Sequence, residues 1–189
     1  MSTMIKKSDG RQEWWVDGKL HREDGPAEIY SNGKQAWYRN GKRHREDGPA
    51  IIYSNGTQHW YQNGRLHRED GPAVIDTDGV QSWYRNGKRH REDGPAIIEP
   101  DGSRYWYIDG LLHRTNGPAI VYGDGSEEWY QDNLLHRANG PAVVYSSGLC
   151  EWYVNDQCIT EEAKKWMRSN GYKAPFTTEQ EMHFKLRFL

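Results

Sequence analysis

Cysteine is scarce in this chain, with 2 in 189 residues. Two thiols are too few for a disulfide framework or a structural zinc site of their own, so neither is expected to organise the fold. Aliphatic side chains are scarce as well, since Leu, Ile, Val and Phe together number 29. So lean a composition signals disorder only when joined to a large net charge and few aromatics, and the net charge here is −2. No apolar run approaches the ~20 residues that span a bilayer. Residues 1–7 lack the apolar centre of a secretory signal. The pI of 6.4 is below the ~9 expected of a nucleic-acid footprint. What the chain does have is aromatic area, in 9 Trp and 12 Tyr. Each buried ring hides roughly 150–250 Å². The expectation is a folded, soluble, cytoplasmic protein with a core built from rings.

A single period organises the sequence. Trp14, Trp37, Trp60, Trp83, Trp106, Trp129 and Trp152 are each 23 residues apart. An aromatic follows every one of them, and seven residues after each of the first six stands a His-Arg pair, from His21-Arg22 to His136-Arg137. A Gly-Pro-Ala triplet comes next, from Gly25-Pro26-Ala27 to Gly140-Pro141-Ala142. Of the 20 glycines, 18 occupy three repeated slots, which reads as turn punctuation.

Each repeat reads as two strands and two turns. Asn40-Gly41 is a two-residue hairpin signal that pairs Arg39 with Lys42, Tyr38 with Arg43 and Trp37 with His44. A three-residue loop, Ser54-Asn55-Gly56, sets Trp60 opposite Ala50 and Gln58 opposite Ile52. The return strand is interrupted at Asp70-Gly71-Pro72, where proline removes a ladder donor and a bulge or kink is expected. This register puts Trp, His, Ala and the constant Ile/Val slot on the buried face. The looser slot at Glu28, Ile51, Val74, Ile97, Ile120 and Val143 then faces the other way. The fold class is mainly β: an elongated antiparallel meander of about six and a half hairpin repeats, led by a half repeat over residues 1–13.

After Tyr153 the period stops. Thr160 reads as the N-cap of a helix ending at Gly171, and Thr178-Glu-Gln-Glu181 as a capping box opening a second helix with Met182, Phe184, Leu186 and Phe188. The organisation is therefore a repeat array over residues 1–157 and a helical cap over 158–189. The slot held by Lys19, Lys42, Arg65 and Lys88 becomes Leu111 and Leu134, so the helices are expected to fold over these greasier repeats and cover an open sheet edge.

The candidate chemistry lies in the repeated slots. Equivalent histidines on such a sheet lie ~9.6 Å apart, too far to share one metal ion. Structural roles are therefore expected for His44, His67 and His90, and for Trp37, Trp60, Trp83, Trp106 and Trp129. No metal, cofactor or catalytic set is expected. The arginine slot is flanked by Glu and Asp in the first four repeats, which reads as a salt-bridged face. Arg114 and Arg137 lack those acids and stand out as contacts for an anion or partner. Tyr30, Tyr53, Tyr122 and Tyr145 form an outward-tending column suited to a protein interface. The hairpin register puts Cys150 and Cys158 on opposite faces.

The slots W-x-x-N-G-K-x-H, the second Asp/Asn-Gly turn and the 23-residue period resemble MORN repeats over residues 14–153. Typical MORN units follow their His with Gly-x-Gly, whereas this chain has Arg and then Asp/Asn-Gly-Pro-Ala. In that it is similar to MORN-like proteins of bacteriophages, large DNA viruses and some bacteria. The resemblance implies an extended antiparallel sheet serving as scaffold or binding surface, and supplies no catalytic residues. The expectation that follows is a non-enzymatic protein-binding scaffold, of the kind a phage or virus uses to inhibit or sequester a host factor in the host cytoplasm. The alternative is a module that binds nucleic acid or carbohydrate through the aromatic and arginine slots, and self-association is compatible with either.

Overall fold

The computed structural model describes residues 3–189, so the first two residues of the leading half repeat lie outside the described residues. The fold is mainly β, built of antiparallel hairpins, with two C-terminal helices. The chain divides into two compact units. One holds the chain up to Arg91 with Ala96–Pro100, and the other holds Glu92–Pro95 with Asp101–Leu189.

In the first unit, Thr3–Lys6, Gln12–Val16, Glu28–Ile29, Gln35–Ala36, Ile51–Ile52, Gln58–His59, Val74–Ile75, Gln81–Ser82 and Ile97–Ile98 pair antiparallel in that order. Lys19–Leu20 pairs with the ladder strand Gln12–Val16 itself, whereas later repeats carry a separate hairpin, as in Tyr38–Arg39 with Lys42–Arg43 and Tyr61–Gln62 with Arg65–Leu66. The second unit repeats the plan. Its ladder includes Arg104–Tyr105, Ile120–Val121, Glu127–Glu128, Val143–Val144 and Cys150–Glu151, and its last side hairpin pairs Tyr153–Val154 with Gln157–Cys158.

Both expected registers are present. Asn40 and Gly41 have φ of 52° and 77°, the left-handed pair of a type I′ turn, and Tyr38 faces Arg43. Ile52 faces Gln58, and the Tyr53 N–H donates to the Thr57 carbonyl at 2.9 Å to close the three-residue loop. Asn55 Oδ1 accepts from the Thr57 N–H at 3.1 Å, an Asx turn that Asn32, Asp78, Asp101 and Asp124 also make.

A repeat contributes four short strands rather than two, because the chain changes partners at tryptophan. The Trp60 N–H donates to the Ala73 carbonyl at 2.8 Å, and the Trp60 carbonyl accepts from the His67 N–H at 3.1 Å. The Asp-Gly-Pro segment is accordingly an irregular loop between two sheets, and not a kink in one strand.

The face assignment is corrected. The alanines at Ala27, Ala50, Ala73, Ala96, Ala119 and Ala142 are fully buried, as expected. However, the looser slot is also buried at Glu28, Ile51, Ile97, Ile120 and Val143, while Ile29, Ile52, Ile75, Ile98, Val121 and Val144 are half-buried. Ile51 shares a face with its register partners Ala36 and His59, and tyrosine rings cover that side. The His59 ring meets Tyr53 at 5.0 Å and Tyr61 at 6.4 Å. The tyrosine column is therefore packing as much as surface.

Helix α1 spans Thr160–Asn170 and ends at Gly171 in the left-handed conformation. Helix α2 spans Thr178–Phe188. Both N-caps fall one residue earlier than the sequence suggests. Ile159 is the N-cap of α1, because the Thr160 hydroxyl is turned to the Trp152 N–H at 2.9 Å. The capping box of α2 is formed by Thr177 and Gln180. The helices enclose a core of Trp152, Val154, Ile159, Ala163 and Phe184, joined by Trp166, Met167, Phe176 and Phe188. They pack on the last hairpin, and the Phe176 N–H reaches the Asn139 carbonyl of the repeat before it at 3.3 Å, but Leu111 and Leu134 remain 40% exposed.

Candidate functional site

Every arginine of the repeated slot is stacked on the tryptophan eight residues before it. Arg22, Arg45, Arg68 and Arg91 lie 4.1–4.2 Å from the ring centres of Trp14, Trp37, Trp60 and Trp83. In the second unit, Arg114 and Arg137 lie 3.9 Å from the centres of Trp106 and Trp129. The following loop wraps the guanidinium. Arg68 Nε donates to Asp70 Oδ1 at 2.9 Å and Nη1 to the Pro72 carbonyl at 3.3 Å. A methyl group at Gly71 would lie 3.0 Å from Arg68 Cζ, so Gly71 makes room for a cation and is not a positive-φ turn residue. The expected salt bridge at Arg22, Arg45 and Arg68 is present, and the ring stacking is the part that spacing alone did not reveal.

The histidines join successive repeats. Nδ1 of His21, His44 and His67 accepts the backbone N–H of Asn40, Asn63 and Asn86 at 3.1–3.2 Å. In the second unit, Nδ1 of His113 and His136 meets Asp132 Oδ1 and Asn155 Oδ1, each at 2.9 Å. His90 is buried. His183, which lies outside the column, bonds the Tyr172 hydroxyl at 2.9 Å.

The six partner-contact candidates divide. The Tyr30 hydroxyl donates to Glu28 Oε2 at 3.1 Å, and Lys34 lies 4.8 and 5.0 Å from the ring centres of Tyr30 and Tyr53. Tyr122 packs edge-on against Tyr105, and burial with the Glu128 charge pushes its phenol up to about 12. Only Tyr145 is exposed. Arg114 and Arg137 come together in one groove of about 580 Å³ with Trp129, His136 and Lys185. Neither forms an ion pair with an acid among the described residues. Arg137 donates to Asn139 Oδ1 and the Pro141 carbonyl, both at 3.1 Å. Burial lowers the pKa of both guanidiniums, and both remain charged at neutral pH.

Arg137 also borders a larger cleft, of about 780 Å³, between the last repeat and α1. Its floor is apolar, with Pro141, Val144, Cys150, Trp152 and Met167, and its rim carries Lys164, Arg168 and Lys173. Among the described residues, only Lys164 of these cations has an acid within ion-pair reach, Glu161 at 3.6 Å. The chain matches no protein-family model and no curated protein. The rim residues went unread in the sequence. Their signal was local: Lys164, Lys165, Arg168 and Lys173 crowd a short stretch of a nearly neutral chain.

Trp152 explains how the cleft forms. Its place in the period calls for His and Arg at 159 and 160, but the chain has Ile159 and Thr160. The Ile159 N–H still donates to the Trp152 carbonyl at 2.8 Å. With no following Ala carbonyl, the Trp152 N–H turns to Thr160 Oγ1, and Phe176 and Phe184 take the place of the arginine lid, each 5.5 Å away. Cys150 and Cys158 are free thiols, and Cys158 faces Tyr153 in the register.

Proposed function

We propose that this chain is a non-enzymatic, protein-binding repeat scaffold whose contact site is the cleft between its last repeat and α1. The observation that carries this reading is the pairing of an apolar floor with a cationic rim, in which Arg168 and Lys173 have no ion-paired acid among the described residues. Elsewhere the repeated chemistry is engaged within the fold: arginines stack on tryptophans, and histidines tie turns together. That engagement argues against metal or general-base roles for the histidines. It also covers one face of each of those tryptophans, which weighs against the nucleic-acid or carbohydrate alternative. No helix among the described residues is long and apolar enough to cross a membrane. The resemblance to phage and viral MORN-like chains adds a partner class, a host protein in the cytoplasm that binding would sequester or inhibit.

The test is affinity capture from a cell lysate with the wild type, an Arg168→Gln/Lys173→Glu variant and an Arg39→Glu control. The partner should be lost with the first variant and kept with the second. Full retention by the cleft variant contradicts the reading.

A further inference from the structure

We infer that the partner segment held in this cleft is an extended acidic peptide in which carboxylates alternate with a bulky apolar side chain. This rests on the cleft being the contact site. The two walls differ in chemistry. On the repeat side lie Val144, Cys150 and Trp152, and on the helix side Lys164 and Arg168, with Lys173 just beyond Gly171. Lys164 and Arg168 stand four residues apart on α1, so they share one face and are offset by about 6 Å along the axis. In an extended peptide, alternate side chains on one side recur at about 6.6 Å. Acids at alternate positions thus meet successive cations on the helix wall. The side chain between them points the opposite way, toward the half-buried Val144 and Cys150 of the repeat wall.

The cation count fits the same occupant. Arg137, Lys164, Arg168 and Lys173 all line the cleft, and of the four only Lys164 has an ion-paired acid among the described residues. A basic segment would add like charge to a partly desolvated guanidinium at Arg137. A purely apolar segment would leave the rim without a counter-charge. The volume of about 780 Å³ is in the range of sites that enclose a ligand, and accommodates one or two large side chains with their backbone.

The experiment uses the full chain and a fluorescein-labelled peptide in which glutamates alternate with phenylalanine, read by fluorescence anisotropy. Saturable binding is expected. It should weaken about tenfold in Arg168→Gln/Lys173→Glu, weaken about as much when alanine replaces phenylalanine in the peptide, and weaken with added salt. Equal melting temperatures confirm that the variant is folded, since both side chains are exposed. If peptides with lysine or glutamine in place of glutamate bind as tightly and still depend on the two cations, the acidic inference fails and the cleft reading survives. Binding of decanoate in place of the peptide, with the same dependence, overturns the inference in favour of a small amphiphile. Peptide binding indifferent to the double variant removes both the inference and the reading.

Discussion

The Arg68 guanidinium lies 4.2 Å from the centre of the Trp60 ring and is clasped by the loop that follows it, from Asp70 to Pro72. One cation thus satisfies a loop carbonyl, covers an aromatic face and sets the path of the chain between two sheets. Arg68→Ala is expected to destabilise the first unit by about 2 kcal/mol, from a cation–π contact and two charge-assisted hydrogen bonds at a partly exposed site. Arg68→Lys should recover little of this, because lysine lacks the planar fork. Gly71→Ala alone should also destabilise, yet cost much less in the Arg68→Ala background, where the clash at 3.0 Å is gone. Urea unfolding of the four proteins measures the cycle, and strict additivity argues against the clasp.

Acid should loosen this clasp in the first unit. The Nε–H of Arg22, Arg45 and Arg68 holds the carboxyls of Asp24, Asp47 and Asp70 below the usual aspartate range. A depressed carboxyl contributes stability above its unfolded value of ~3.9, and that contribution is lost as pH falls through the folded value. Melting temperatures should therefore drop below about pH 4. Replacing all three aspartates by asparagine, the residue found at Asn139, should flatten that dependence. An unchanged slope in the triple variant would contradict the assignment.

At the alkaline end, the Tyr153 phenol is pushed up to about 12, first by its hydrogen bond to Glu151 and then by burial. A raised phenol contributes stability that is complete below the unfolded value near ~10 and is lost as pH rises through the folded value. Glu151→Gln removes the charge and should return the Tyr153 titration toward the ordinary tyrosine range. Carbon NMR of ring-labelled tyrosine reads this directly, and an unmoved midpoint would show that burial alone sets it.

The helical end is a stop signal for the repeats. Thr160→Ala deprives the Trp152 N–H of its acceptor and is expected to cost about 1–2 kcal/mol, with Thr160→Ser restoring most of it. Deleting residues 159–189 uncovers Trp152 and Val154 and should cause aggregation or loss of cooperative melting. A truncated chain that melts unchanged as a monomer would show that α1 and α2 are not a cap.

Local chemistry was legible in the sequence where a short rule decides it. Asn40-Gly41 dictates a type I′ turn and with it the pairing of Tyr38 with Arg43, and Ser54-Asn55-Gly56 fixes Ile52 against Gln58. What failed was the inference from register to burial at Ile51 and Ile52. Alternation assigns a core face only if the other face is open, and here tyrosines cover it. The arginine stack was hidden because eight residues of separation say nothing until the Asp-Gly-Pro loop bends back. The cleft was illegible for a similar reason, since it exists only once residues 137–152 and 164–175 are brought together. Thr160 was misread because a capping rule sees the helix and not the tryptophan amide beside it.

Native-state amide hydrogen exchange, resolved at the tryptophans, tests the repeated architecture most directly. The N–H groups of Trp14, Trp37, Trp60, Trp83, Trp106 and Trp129 each donate to an alanine carbonyl at 2.8 Å, and that of Trp152 to Thr160. All seven should exchange slowly, and Arg68→Ala should speed exchange at Trp60 well before Trp14 or Trp129. Exchange at free-peptide rates, or protection with no 23-residue recurrence, would contradict the account.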